Sequence, residues 1–184
     1  MARRGVLAGL GLIVLSLLAS SLMAFGQGAE VTVSATLRIA SSCLSVSPTT
    51  VDFGTLELTQ PAAVRSAATP SATATVTVRN CSSQPETILV RGRAVTAPGV
   101  AWSHAPAAAD VCAGLNLFAQ GVRDGAAGEK RLTVNDQILK SLSPGAAEPV
   151  TLTLVPPCSG STGAGQAITV AYIFTATLGE QRSR

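Results

Sequence analysis

From residue 30 onward the chain alternates. Val31, Val33, Ala35, Leu37 and Ile39 occupy every second position, with Thr32, Ser34, Thr36 and Arg38 between them. A period of two puts all the apolar side chains on one face of an extended strand, and no helix can use it. The pattern recurs. Ala72, Ala74, Val76 and Val78 alternate with Thr73, Thr75, Thr77 and Arg79, and Val150, Leu152 and Leu154 alternate with Thr151 and Thr153. Near the C-terminus Ile168, Val170, Tyr172, Phe174, Ala176 and Leu178 share a face. Thr and Val dominate, and β-branched side chains suit a pleated surface. Less regular strands are expected over 50–58, 87–95, 115–122 and 130–134. The turn sequences Ser47-Pro48, Thr69-Pro70, Ala97-Pro98-Gly99, Asp124-Gly125, Ser143-Pro144-Gly145 and Pro156-Pro157 divide them. The reading is an all-β sandwich of about seven to nine strands. One segment, 134–142, is the helix candidate and could equally be a single turn.

The segment before the alternation has a different character. Arg3 and Arg4 precede an apolar run from Val6 to Phe25 and then Gly26-Gln27-Gly28. A basic start, an apolar stretch and small residues make a signal peptide spanning 1–29, with cleavage after Gly26 or Ala29. The alternative is an uncleaved anchor, since about 20 apolar residues span a bilayer. Either way the remainder is expected outside the cytoplasm, secreted or at the cell surface, meeting membrane only through that segment. The division that follows is an N-terminal strand over 30–42, a sandwich domain over 43–178 and a polar tail over 179–184.

Charge and cysteines narrow the function. The chain has 13 Lys and Arg against 10 Asp and Glu, and two of the cations are Arg3 and Arg4, so the rest carries 11 against 10. No basic surplus remains to neutralise phosphates, which argues against a nucleic-acid partner. Cys43, Cys81, Cys112 and Cys158 are even in number and all lie beyond the leader. In an exported chain that indicates disulfides, with three connectivities open. Sequential pairing would close loops of roughly 40 residues, each contributing about 4 kcal/mol in the chain-entropy picture. Metal ligation lacks a C-x-x-C pair or a second histidine, so neither a metal nor another cofactor is expected.

Chemistry is sparse. His104, the one histidine, sits in Ser103-His104-Ala105-Pro106, which reads as a loop. Gly160-Ser161-Thr162-Gly163-Ala164-Gly165 is rich in glycine, but a strand follows it where a phosphate site needs a helix, so it reads as a hairpin turn. Asn80-Cys81-Ser82 formally matches a glycosylation acceptor. Trp102 is the one aromatic outside the strand patterns that could offer a flat platform, or else anchor a loop. No catalytic residue emerges, and the chain is not expected to be an enzyme.

One arrangement is more specific. Cys43 follows the first alternating segment; next comes Val51-Asp52-Phe53-Gly54-Thr55-Leu56; a further alternating strand ends in Val78-Arg79-Asn80-Cys81; and an apolar strand, Ile88-Leu89-Val90-Arg91-Gly92, follows. This resembles the first half of fimbrial (pilin) subunits of the chaperone–usher type and the related spore-coat-U-like secreted domains. The resemblance covers 30–92, about a third of the chain. It implies an immunoglobulin-like sandwich, a bond from Cys43 to Cys81, and a non-enzymatic subunit of a surface filament or coat that self-associates, with a periplasmic chaperone as a further partner. In such fimbriae an N-terminal extension completes the neighbour's sheet. Val31, Val33, Ala35, Leu37 and Ile39 are then the donor residues. The alternative for this strand is ordinary pairing within its own sheet. The alternative for the protein is a monomeric secreted module binding a glycan or a cell-surface partner through loops around Trp102.

Overall fold

A computed structural model describes residues 30–39, 43–61, 71–93, 95–125 and 127–178. The leader, the polar tail and residues 40–42 lie outside the described residues. The regular structure is mostly strand, with a 3-10 helix at Ala108–Asp110. In chain order the elements are β1 (Glu30–Ile39), β2 (Leu44–Ser47), β3 (Thr50–Glu57), β4 (Ala72–Asn80), β5 (Glu86–Arg93) and β6 (Val95–Ala97). They continue with β7 (Val100–His104), β8 (Leu117–Asp124), β9 (Lys130–Leu132), β10 (Gln137–Leu142), β11 (Ala147–Val155) and β12 (Ala167–Leu178).

These strands form two sheets. One runs β10-β5-β12-β1-β3, and the other runs β2-β4-β11-β8-β7-β6 with β9 also paired to β8. The main core collects the inward faces of both, from Val31, Val33, Ala35 and Leu37 of β1 to Ile168, Val170, Tyr172 and Phe174 of β12. The alternation read from the sequence is therefore the division between this interior and solvent. A smaller apolar cluster of Ala105, Val111, Ala119 and Val155 lies apart from it. The Cys112–Cys158 disulfide ties down the loop that carries Val111.

The exposed sheet edges are modified. At β3 the ladder with β1 slips between Val33 and Ser34, so that Val33 faces Gly54 while Ser34 faces Asp52, and Phe53 is the extra residue. Gly54 has φ +74°, a region glycine enters freely, and its N–H donates to the Asp52 carboxylate at 2.8 Å. The Asp52-Phe53-Gly54 sequence is thus a β-bulge, which twists an edge away from further pairing. At the opposite edge Lys130 donates from Nζ to the carbonyls of Ile138 at 2.6 Å and Leu139 at 3.1 Å, occupying acceptors that another strand would need.

Four expectations are corrected. The helix considered over 134–142 is strand β10. Its buried residues Leu139 and Leu142 are three apart because the ladder with β5 slips between Ile138 and Lys140. A bulge shifts the inward face by one residue and so imitates helical spacing. His104 ends a strand, β7, rather than lying in a loop. The glycine-rich 160–165 segment is no hairpin turn, because β11 and β12 belong to different sheets and it carries the chain between them. The strand count is also higher than the sequence indicated, since short strands such as β2, β6 and β9 are too brief to show a period.

Candidate functional site

β1 occupies the slot between β12 and β3. It runs parallel to β12, from Thr32 opposite Ala167 to Ile39 opposite Phe174. On its other side it runs antiparallel to β3, from Glu30 opposite Glu57 to Thr36 opposite Thr50. Val31 and Leu37 are 1% and 4% exposed, and Val33 and Ala35 are fully enclosed. The backbone of Ile39 is in the ladder; its side chain lies outside the described residues. Of the two readings the sequence left open, this arrangement is the self-paired one for a single chain. Burying Val31, Val33 and Leu37 is worth on the order of 5–9 kcal/mol together relative to exposure. Whole domains of this size are stable by about 5–15 kcal/mol. An empty slot would therefore consume most of the stability, and something must always fill it.

The four cysteines are arranged in two pairs. Cys112 and Cys158 are joined, with Cα atoms 4.9 Å apart. Cys43 and Cys81 are not joined. They face each other at the end of the β2–β4 ladder: Leu44 pairs with Asn80, and the Cys81 N–H donates to the Cys43 carbonyl at 2.9 Å. The Cys43 thiol is held above its usual pKa, first by its hydrogen bond to Cys81, then by desolvation and by the charges of Cys81 and Glu86. The expectation of disulfides at all four positions is thus realised here for Cys112 and Cys158.

Trp102 is 1% exposed, and its indole N–H donates to the Thr162 carbonyl at 2.9 Å. It packs against Phe118 with ring centroids 5.9 Å apart. A platform for a sugar must present its face to solvent, and Trp102 is a core residue, so its ring is not such a platform here.

His104 is half-buried beside Phe118, at 4.7 Å between centroids. It helps line an open hollow of about 440 Å³ with Ser103, Ala105, Pro106, Thr133 and Val134. Its Nε2 lies 2.7 Å from the Oε1 of Gln120, which is fully buried. The Gln120 amide nitrogen donates to the Ala171 carbonyl of β12 at 3.2 Å, so its oxygen is the acceptor and His104 Nε2 carries the proton. Burial pushes the His104 pKa down, offset in part by that hydrogen bond. Gly92 sits under the pair, where a Cβ would meet both Gln120 Oε1 and His104 Nε2.

This network was not legible as a site. Gln120 lies between Ala119 and Gly121 within the run Leu117–Val122, whose other members are apolar, and the one available signal was a polar residue at a core position. Tyr172 extends the network: its hydroxyl donates to the Thr153 carbonyl at 2.6 Å, and burial raises its pKa strongly. These bonds link β12 to β8 and β11 of the opposite sheet and bring together no nucleophile with a base. Among the described residues no three His, Cys, Asp or Glu side chains gather as metal ligands, and no helix is long and apolar enough to cross a membrane. No protein-family model matches the chain, and no curated protein matches it.

Proposed function

We propose that the protein is a non-enzymatic structural subunit of an extracellular filament or surface coat, in the manner of fimbrial and spore-coat-U-like domains. Its domain is an immunoglobulin-like sandwich, and its subunits join by strand exchange. The observation that carries this reading is β1: an N-terminal segment fills an interior position of a sheet, between β12 and β3. Strands in that position are usually held by chain on both sides. Here the leader is cut after Gly26 or Ala29, and β1 then leaves without threading any loop.

Exchange conserves contacts. A neighbour's β1 brings the same Val31, Val33, Ala35 and Leu37 to the same slot, so the swapped and unswapped states differ mainly in concentration dependence. The self-filled chain is the form favoured when dilute, and opening its slot sets the rate of assembly. The alternative, a monomeric secreted module binding a glycan or a cell-surface partner through loops around Trp102, has less support because the Trp102 side chain is itself buried.

A labelled peptide with the sequence of residues 30–39 tests this reading. Mixed with the leaderless chain and warmed briefly, it is retained on gel filtration, and a peptide carrying Leu37→Asp is not. Equal retention of both peptides, or of neither, would contradict strand exchange.

A further inference from the structure

β1 ends at Ile39 in one sheet, and β2 begins at Leu44 in the other. Between them stands Cys43, opposite Cys81, the residue that follows the last residue of β4. Their backbones are bonded, the Cys81 N–H donating to the Cys43 carbonyl at 2.9 Å, and the two sulfurs are not joined. We infer that the Cys43–Cys81 pair is a redox-set stop that fixes how far the chain peels when β1 is released: β1 alone when the sulfurs are joined, β1 together with β2 when they are not. The inference rests on β1 being an exchangeable strand.

The case begins with β2. It is four residues long, lies at the edge of its sheet and pairs with β4 only. Leu44 and Val46 are its two buried side chains. A strand this short is marginal by itself, so once β1 has left, little halts the opening beyond the four pairs from Leu44–Asn80 to Ser47–Thr77. A covalent link at Cys43 lies just upstream of all four, so tension from a departing β1 ends there. The position also matters for assembly. Loss of β2 would bare the edge of β4 in addition to the β12–β3 slot, and two open edges allow mispairing where one specifies a partner.

Glu86 slows thiol exchange at this pair. It is 6% exposed, and its Oε2 has no hydrogen-bond partner among the described residues. Its charge disfavours the thiolate at Cys43, and the thiolate is the species that reacts. The step needs an external disulfide. One cysteine thiolate attacks it, breaking its S–S bond and releasing one thiol. The second cysteine then attacks the mixed disulfide, forming the Cys43–Cys81 bond and releasing the other thiol. The two protein thiols lose two protons and two electrons, which appear in the two thiols released.

The test uses the full chain with Cys112–Cys158 joined, before and after treatment with oxidised glutathione, with free thiols counted and amide hydrogen exchange followed over β1 and β2. The expected result is loss of two titratable thiols, a rise of about tenfold or more in protection of residues 44–47, and protection of 30–39 unchanged within about twofold. The Cys43→Ser, Cys81→Ser double variant keeps the reduced pattern with or without oxidant. Equal exchange of β2 in both forms, a parallel rise in β1, or two thiols surviving the oxidant would each overturn the inference. Hydrogen exchange reads opening within one chain, so a failure of filament assembly leaves this readout standing and shows separately in particle size.

Discussion

The hydroxyl of Tyr172 donates to the backbone carbonyl of Thr153 at 2.6 Å, across the space between the two sheets. Tyr172 is on β12, the strand against which β1 lies parallel, and pairs with Leu37 in that ladder. One residue earlier, the Ala171 carbonyl accepts from Gln120. Two consecutive residues of β12 are thus bonded to the opposite sheet, so this strand is anchored independently of its neighbour β1. Buried bonds of this kind are costly to leave half made. Tyr172→Phe is expected to lower stability by about 1–2 kcal/mol with no change of fold, measured by denaturant unfolding.

Gly92 marks the other half of that network. A methyl group there would collide with Gln120 Oε1 and His104 Nε2. Gly92→Ala should destabilise by about 1–3 kcal/mol, as overpacked cores do, and Gln120→Ala in the same background should recover part of the loss. Thermal unfolding of the two variants is the check; equal losses in both would mean that the contact is not the cause.

His104 gives the fold a pH dependence with a definite sign. Its pKa is lowered in the folded chain, whereas the unfolded value is about 6.5. The unfolded state therefore takes up the proton first. Stability is fully present above about pH 6.5 and falls as the pH drops toward the lower folded value. His104→Gln should flatten the stability curve over about pH 5.5–7, read from urea midpoints, while leaving stability at pH 8 close to that of the parent.

The Cys112–Cys158 bond closes a separation of 46 residues. Chain entropy gives it about 4 kcal/mol, a large share of the total for a domain of this size. Cys112→Ser is expected to lose up to that amount, and the first amides to lose protection should be those of 105–117, which pack on the small cluster around Val111.

How much of this was readable in advance depended on the range of the interaction. The inward faces of β1, β4, β11 and β12 are local, and alternation at Val31, Val76, Leu152 and Tyr172 places them without tertiary knowledge. β10 was obscured because a bulge between Ile138 and Lys140 breaks the period. β7 was obscured because Ser103-His104-Ala105-Pro106 has loop composition, although Val100 and Trp102 face inward. Pairing is the least local property. Nothing in residues 30–39 says that they lie parallel to residues 167–174, more than 130 positions away. The candidate site depends on that pairing, so the sequence supplied the strand but not its slot. The polar chain from His104 through Gln120 to Ala171 joins residues from three strands, and its members look unremarkable one at a time.

Particle size tests strand exchange most directly. The leaderless chain, residues 30–184, is concentrated, warmed briefly to open the slot, cooled, and followed by light scattering and negative-stain microscopy. Strand exchange predicts growth into ladders of oligomers or filaments that depends on concentration and is blocked by excess peptide of residues 30–39. A monomer of constant size at every concentration, before and after warming, would contradict it and leave β1 as a permanent strand of its own sheet.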